Sequence, residues 1–194
     1  MREKLPFEGG VFRTGDQLII KLNAFSPPVR QRFTLAHELA HLMLSPKATI
    51  AVQRSHVATD IESACDAIAA ELLMPLEEVR ELRGVPASVD ALTRSARRFQ
   101  VSLHAMAVRI SELKIWKHAM GLWRWDNGAT ELWFVGRRLW PTRTPYFNAF
   151  ELAMQSGRTI KVSEHYARMD GEHPALLEVR RLGENFLLAV ILGM

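Results

Sequence analysis

Two histidines and a glutamate in the first quarter of the chain have the spacing of a metal-binding and catalytic group. His37 and His41 are four residues apart in the run TLAHELAH at residues 34–41. At 3.6 residues per helical turn, the two imidazoles lie on one helix face, one turn apart, where they can bind a single Zn²⁺ ion. Glu38 lies about a quarter-turn around the helix. There its carboxylate can act as general base on a water and then protonate a leaving amine.

A catalytic zinc site needs a third protein ligand and one open position. Glu62 and Asp66 lie four residues apart in the next predicted helix, so they share a face. With Glu62 as a ligand, Asp66 can accept the N–H of a zinc-bound histidine and fix its tautomer. Glu71 is the alternative ligand, but it lies on roughly the opposite face of an unbroken helix. The predicted ligand set is therefore His37, His41 and Glu62.

The structural alternative for this pattern is two histidines packed in a core helix beside an exposed glutamate. The chain contains 7 histidines. Random placement of its residues would produce the pattern roughly 0.02 times. Together with the acidic pair in the next helix, the spacing favours a metal site. We expect zinc as the metal, with manganese able to replace it.

The sequence around these residues resembles the ImmA/IrrE family of bacterial metallopeptidases. Two stretches carry the resemblance most specifically: RQRFTLAHELAH at residues 30–41 and ESACDAIAAELLMP at residues 62–75. The helical stretch 89–113 also fits the family. The resemblance therefore covers about residues 10–113.

This resemblance implies a zincin-like, thermolysin-like pair of active-site helices with the same three ligands and with Glu38 as catalytic acid and base. It also implies a protein substrate, a helix-turn-helix transcriptional repressor that is cleaved to switch on stress, phage, mobile-element or defence genes. The chain departs from the family pattern at Ala40, where glycine is common, and at Asp66, where asparagine is frequent. Alanine is harmless inside a helix, and a carboxylate holds a histidine at least as well as an amide does.

The elements that must position these residues can be predicted from hydrophobic periodicity. Residues 10–24 have the pattern of a hairpin with a turn at Thr14-Gly15-Asp16. Residues 47–58 show no clear period and are predicted as a loop or a strand. Helices are predicted over residues 29–44, 60–74, 76–83, 88–99 and 102–114.

The character of the sequence changes near residue 118, because all five tryptophans lie between Trp116 and Trp140. Strands are predicted over residues 122–125, 131–135, 159–162, 176–179 and 186–192. We therefore predict an α+β fold with two domains. Residues 1–117 form a zinc metallopeptidase domain that includes a helix-turn-helix-like segment at 88–114. Residues 118–194 form a small strand-rich domain, which could be a small version of the sensor-like domain of some family members.

The helix-turn-helix-like segment suggests a second function, a DNA-binding regulator that retains the metal site for structure or sensing. Residues 80–117 carry eight Lys or Arg and three Asp or Glu, which give the segment a net charge of +5. The net charge of the whole chain is +4. Phosphate contacts would come from Arg94, Arg97, Arg98 and Arg109. A helical subdomain with a solvated basic face explains the segment better, because no side chains that read bases are evident.

Composition sets the remaining expectations. The chain of 194 residues is 48% hydrophobic and 24% charged, as in ordinary globular proteins, and its single cysteine, Cys65, excludes an intrachain disulfide. We expect a cytoplasmic protein without membrane contact, because neither a signal peptide nor a membrane-spanning run is evident. Nucleic acid could act as an activator if the tryptophans stack on bases, but a tryptophan-filled core is favoured. Cys65 is expected to be a buried, inert thiol.

The sequence does not identify a residue that stabilises the oxyanion. None of the candidate residues has another catalytic or metal-binding residue type at a spacing that would indicate a shared site. They are His56, His104, His118, His165, His173 and Tyr146.

Overall fold

The computed structural model describes residues 5–44, 58–117, 119–126, 129–136, 148–168, 171–182 and 184–193. The first half contains strands β1 (Gly9–Thr14) and β2 (Gln17–Leu22), helices α1 (Pro28–Leu44), α2 (Ala58–Leu73) and α3 (Leu76–Arg80), a 3-10 turn (Glu81–Gly84), and helices α4 (Val89–Phe99) and α5 (Leu103–Glu112). The second half contains β3 (Ala119–Asp126), β4 (Ala129–Gly136), α6 (Asn148–Ser156), β5 (Ile160–Arg168), β6 (Gly171–Leu182) and β7 (Phe186–Gly193). The α+β prediction is confirmed. The prediction for residues 47–58 lies almost wholly outside the described residues.

The chain divides into two compact units, which are described separately. The first unit comprises Met1–Glu78 and Phe99–Ser102, and the second comprises Val79–Arg98 and Leu103–Met194. The assignment of residues 1–117 and 118–194 to separate functional domains stays a prediction. No helix in the described part of the chain is long and apolar enough to span a bilayer.

In the first unit, helix α1 packs against helix α2 and against the β1–β2 hairpin. The buried residues of the two helices are small: Ala36 and Ala40 on α1, and Cys65 and Ala69 on α2. Because the distance between packed helices depends on the side chains at the contact, small residues allow a close approach. The hairpin turns at Gly15, whose φ of 60° is easily adopted only by glycine.

The start of α1 is fixed by hydrogen bonds to a carboxylate in the loop before β1. The Ser26 hydroxyl and the Arg30 guanidinium both donate to Glu8, the latter at 3.0 Å. These two hydrogen bonds lower the pKa of the Glu8 carboxyl below its usual value. The first turn of α1 is thus anchored to the hairpin side of the unit.

The second unit is built on a five-stranded antiparallel sheet with the strand order β4-β3-β7-β6-β5. Helix α6 packs on one face, where Phe150 lies 4.9 Å from Trp123 between ring centroids. Neighbouring residues on the same strands point to the opposite face of the sheet, and Leu122, Leu188 and Val190 among them are also buried. Helix α5 contacts β3 and β4 in the same unit. Both faces of the sheet are therefore covered.

Two features of this unit were not predicted from the sequence. Helix α6 is only two to three turns long, too short for its apolar spacing to show a helical period. Strand β6 extends well beyond the predicted residues 176–179 and includes Pro174, which pairs with His165 on β5. The pairing of β6 with β7 begins only at Leu176. No described strand pairs with β6 at residue 174 on the side away from β5, which is where a proline is tolerated.

The predicted helix-turn-helix-like segment forms helices α4 and α5, but its second helix has little free surface. Within α5 only Glu112 is exposed, and Arg109 is 7% exposed. Arg109 is therefore not available for the phosphate contacts that the DNA-binding alternative would need. The first helix keeps Arg94 and Arg97 exposed.

Removing the Phe150 ring should destabilise the second unit. Phe150 is fully buried, and a large-to-small change of this kind costs about 3–5 kcal/mol. We expect that loss in Phe150→Ala, measured by urea unfolding with tryptophan fluorescence. The matched control is Leu152→Ala on the same helix, which is 50% exposed and should change stability by less than about 1 kcal/mol. Equal losses in the two variants would contradict the core assignment.

An ion pair between α4 and β6 should make stability depend on pH. Arg180 donates to Asp90 at 2.6 Å and to the Thr159 hydroxyl at 2.7 Å, and the Asp90 pKa lies below its usual value because of this hydrogen bond and the charge of Arg180. With a lowered folded-state pKa, the unfolded chain binds the proton more readily, so the stabilisation is present at neutral pH and is lost on acidification. We expect Asp90→Asn to lower Tm at pH 7, and we expect the difference from the wild type to shrink progressively as the pH falls below the usual aspartate pKa of about 3.9. An unchanged difference at acid pH would contradict this.

Candidate metal centre

Helices α1 and α2 bring three potential metal ligands together in the first unit. The Nε2 atoms of His37 and His41 are 3.1 Å apart. One carboxylate oxygen of Glu62 lies 3.1 Å from His37 Nε2, and the other lies 3.4 Å from His41 Nε2. His37, His41 and Glu62 form a group whose ligand atoms all lie within 4.8 Å of one another.

The spacing and chemistry of this group fit a tetrahedral metal ion. Ligand atoms about 2.1 Å from a tetrahedral zinc ion lie roughly 3.4 Å from one another. Two imidazole nitrogens and a carboxylate oxygen are a donor set that zinc accepts. The side chains of His37, His41 and Glu62 are 17%, 22% and 47% exposed. The group is thus open to solvent on one side, which leaves room for a water or a substrate.

Asp66 holds the ring of His37 from behind. Its carboxylate lies 2.9 Å from His37 Nδ1. An ionised carboxylate at this distance keeps the proton on Nδ1, which leaves the Nε2 lone pair directed at the group. Since that lone pair faces a carboxylate oxygen of Glu62, a cation between them would turn a repulsive contact into a favourable one.

Glu38 follows His37 directly on α1 and is partly buried. It lies close enough to α2 to act electrostatically on Cys65. Burial raises the pKa of the Cys65 thiol, and the charges of Glu62, Asp66 and Glu38 raise it further. The thiol is fully buried and stays protonated at neutral pH.

Comparison with known proteins identifies the family of the chain. A model of the peptidase M78 family, described as the IrrE N-terminal-like domain, matches residues 2–111, more than half of the chain. The chain belongs to this family. The resemblance found from the motif residues is therefore confirmed.

Two curated relatives are each named radiation response metalloprotease IrrE. The protein from Deinococcus radiodurans is 32% identical over 101 residues, which cover 48% of this chain and 31% of the relative. The protein from Deinococcus deserti is 39% identical over 103 residues, which cover 47% of this chain and 36% of the relative. The chain thus spans about a third of the length of these relatives.

A solved structure of a Mycobacterium tuberculosis transcriptional regulator has a similar fold. Its TM-score is 0.57, and the match covers 88% of this chain and 58% of that protein. The sequence identity is 16%, so the likeness concerns the fold alone.

Glu71, the alternative third ligand, has a different role in this M78 chain. Glu71 accepts a hydrogen bond from the backbone N–H of Leu76 at 2.9 Å, so it caps the first turn of α3. Ala40, where the family often has glycine, is completely buried inside α1. Neither residue belongs to the ligand group.

A contact that was not predicted from the sequence fixes helix α1 at Arg32, which lies five residues before His37. Arg32 donates to the side-chain oxygen of Gln100 and to the backbone oxygen of Phe99, the latter at 3.4 Å. Gln100 has a φ of 53°, the left-handed region that non-glycine residues rarely adopt. No local signal links residues 32 and 100, because their contact depends on the fold.

The residues considered for oxyanion stabilisation remain without support. His104 lies on α5 in the second unit, where burial lowers its pKa. His56, His118 and Tyr146 lie outside the described residues, as do the side chains of His165 and His173.

Removing the carboxylate behind His37 should weaken metal binding. Loss of such an outer partner typically costs 10- to 100-fold in affinity, so we expect Asp66→Ala to weaken Zn²⁺ binding by about that factor. The measurement is competition against a chelating dye. Asp60→Ala, an exposed acid on the same helix outside the ligand group, is the control and should bind as the wild type. Equal affinities in all three proteins would show that Asp66 does not support the site.

Proposed function

We propose that the protein is a zinc-dependent metallo-endopeptidase, in which manganese can replace zinc. The observation that carries this proposal is the convergence of His37, His41 and Glu62 from two packed helices, in a chain that belongs to a peptidase family. Glu38 is the catalytic acid and base. Asp66 positions His37.

The proposed mechanism assigns a separate task to each side chain. Glu38, next to the first ligand, accepts the proton of the attacking water and transfers it to the leaving nitrogen. Asp66 keeps the Nδ1 proton of His37 in place, so that Nε2 stays available throughout the cycle. When bound, the metal ion would polarise the scissile carbonyl and make the water a stronger nucleophile.

The helix pair α1 and α2 supports a zincin-like, thermolysin-like active site. One helix supplies both histidines and the general base, and the next supplies the third ligand and its neighbour one turn on. We further propose that residues 1–117 carry the peptidase, including the helical segment 88–114, and that the strand-rich residues 118–194 form a small sensory domain.

The proposed substrate is a helix-turn-helix transcriptional repressor, whose cleavage would switch on stress, phage, mobile-element or defence genes. Two relatives are named for a radiation response, which supports a regulatory role. Since such a repressor acts in the cytoplasm, the proposal includes a cytoplasmic location. Nucleic acid remains a candidate activator.

The competing function, a DNA-binding regulator, has weaker support. In a helix-turn-helix protein the second helix enters the major groove and presents its side chains to base edges. Helix α5 would have that role, but nearly all of its residues are at least partly buried and Arg109 is buried. The arrangement favours a helical layer that covers the sheet.

Changing Glu38 to glutamine should separate the two functions. The amide cannot accept a proton, so we expect cleavage to fall by about 10²- to 10⁴-fold, while Zn²⁺ affinity and Tm stay unchanged. The assay mixes the purified protein and Zn²⁺ or Mn²⁺ with a helix-turn-helix repressor from the same genome, chosen from beside its gene where one is encoded there, with and without single-stranded DNA.

The matched control is Glu112→Gln, an exposed glutamate on α5, which should cleave as the wild type does. A repressor that remains intact with metal-loaded wild-type protein under every condition would count against the peptidase. Regulation that survives Glu38→Gln would favour the DNA-binding regulator.

A further inference from the structure

An open cleft in the second unit lies between two loops that the proposed chemistry does not use. It has a volume of about 600 Å³ and is lined by residues 83–87, at and just after the end of the 3-10 turn, and by residues 114–117, after helix α5. The apolar part of its lining includes Val85, Ile115 and Trp116. This is the size range of pockets that bind ligands.

Both walls of the cleft are held by hydrogen bonds. The indole N–H of Trp116 donates to the backbone oxygen of Leu82 at 3.1 Å, and the N–H of Val85 donates to the same oxygen at 3.0 Å. On the other wall, the N–H of Ile115 bonds to the oxygen of Ile110 at 3.0 Å, which is the bond that closes a Schellman motif. The cleft is therefore formed before any ligand binds.

Cations dominate the charge of the cleft. Arg83, Lys114 and Lys117 line it, and its described lining residues include no acidic side chain. Lys114 has a φ of 51°, at the position after a helix that usually belongs to glycine or asparagine. A lysine in this left-handed conformation costs stability relative to glycine. The lysine therefore places a positive charge at a position where the backbone conformation favours glycine.

The surface of the cleft fits an acidic peptide better than nucleic acid. Proteins that bind single strands stack bases on exposed aromatic rings, whereas Trp116 is 5% exposed and its ring is fixed by the bond to Leu82. Small-molecule sites enclose most of their ligand, whereas this cleft is open along one side. An apolar floor beneath three cations complements a chain segment in which carboxylates flank an apolar side chain.

We propose that this cleft binds an acidic segment of the protein substrate, with one apolar side chain on the floor and carboxylates beside Arg83 and Lys114. The identity of the partner as the substrate rests on the proposed function. A metallopeptidase centre can hydrolyse many peptide bonds, and a second binding surface of this kind would raise the affinity for one protein above that for others.

The test is the binding of a fluorescein-labelled peptide that has acidic residues on both sides of one leucine. Fluorescence anisotropy is measured with the full chain in the Glu38→Gln background, so that no cleavage interferes. We expect salt-sensitive binding that weakens by about tenfold in Arg83→Glu with Lys114→Glu. The charge-matched control is Arg94→Glu with Arg97→Glu, both exposed on α4 and outside the cleft, which should bind as the parent does.

A second variant separates binding from folding. Lys114→Gly removes the left-handed lysine, so it should leave Tm unchanged or higher while it weakens peptide binding. Binding that is equal in Lys114→Gly, or that does not need the leucine, would overturn the proposal. Displacement of the peptide by single-stranded DNA but not by unlabelled acidic peptide would also overturn it. A repressor that the metal-loaded wild-type chain leaves intact, together with normal peptide binding, would count against the peptidase and not against the cleft.

Discussion

The close packing of α1 against α2 is the constraint on which the candidate centre depends. The two histidines lie on one helix and need only local geometry, but Glu62 reaches them across 25 residues of chain from His37. Small buried side chains at the contact, including Ala40 and Cys65, let the helices approach until the ligand atoms converge. A larger residue at either position would separate the helices and leave the histidines without a third ligand.

Local periodicity was enough to predict the parts of this protein whose structure is set by neighbours in sequence. The i, i+4 spacing placed His37 and His41 on one face, and the same argument favoured Glu62 over Glu71, which the structure places at a helix cap. The assignment of Asp66 to a histidine followed from the same periodicity, although only the structure shows that the histidine is His37. Their chemical roles stay predictions.

Features set by distant contacts could not be predicted. The extension of β6 through Pro174 depends on its pairing with β5, because its pairing with β7 begins only at Leu176. Helix α6 is stabilised by a sheet whose strands lie elsewhere in the sequence. The burial of Arg109 likewise appears only in the folded structure. The sequence therefore shows how many arginines the segment contains, but only the fold shows which of them are exposed to solvent.

The exposure of Glu62 has a consequence for how the proposed enzyme would acquire its metal. A ligand whose side chain is 47% exposed can detach and rotate into water without disturbing the helices. Such a site would exchange its ion readily, and the ion it holds would follow metal supply more than intrinsic preference, because divalent affinities follow a common order across most sites.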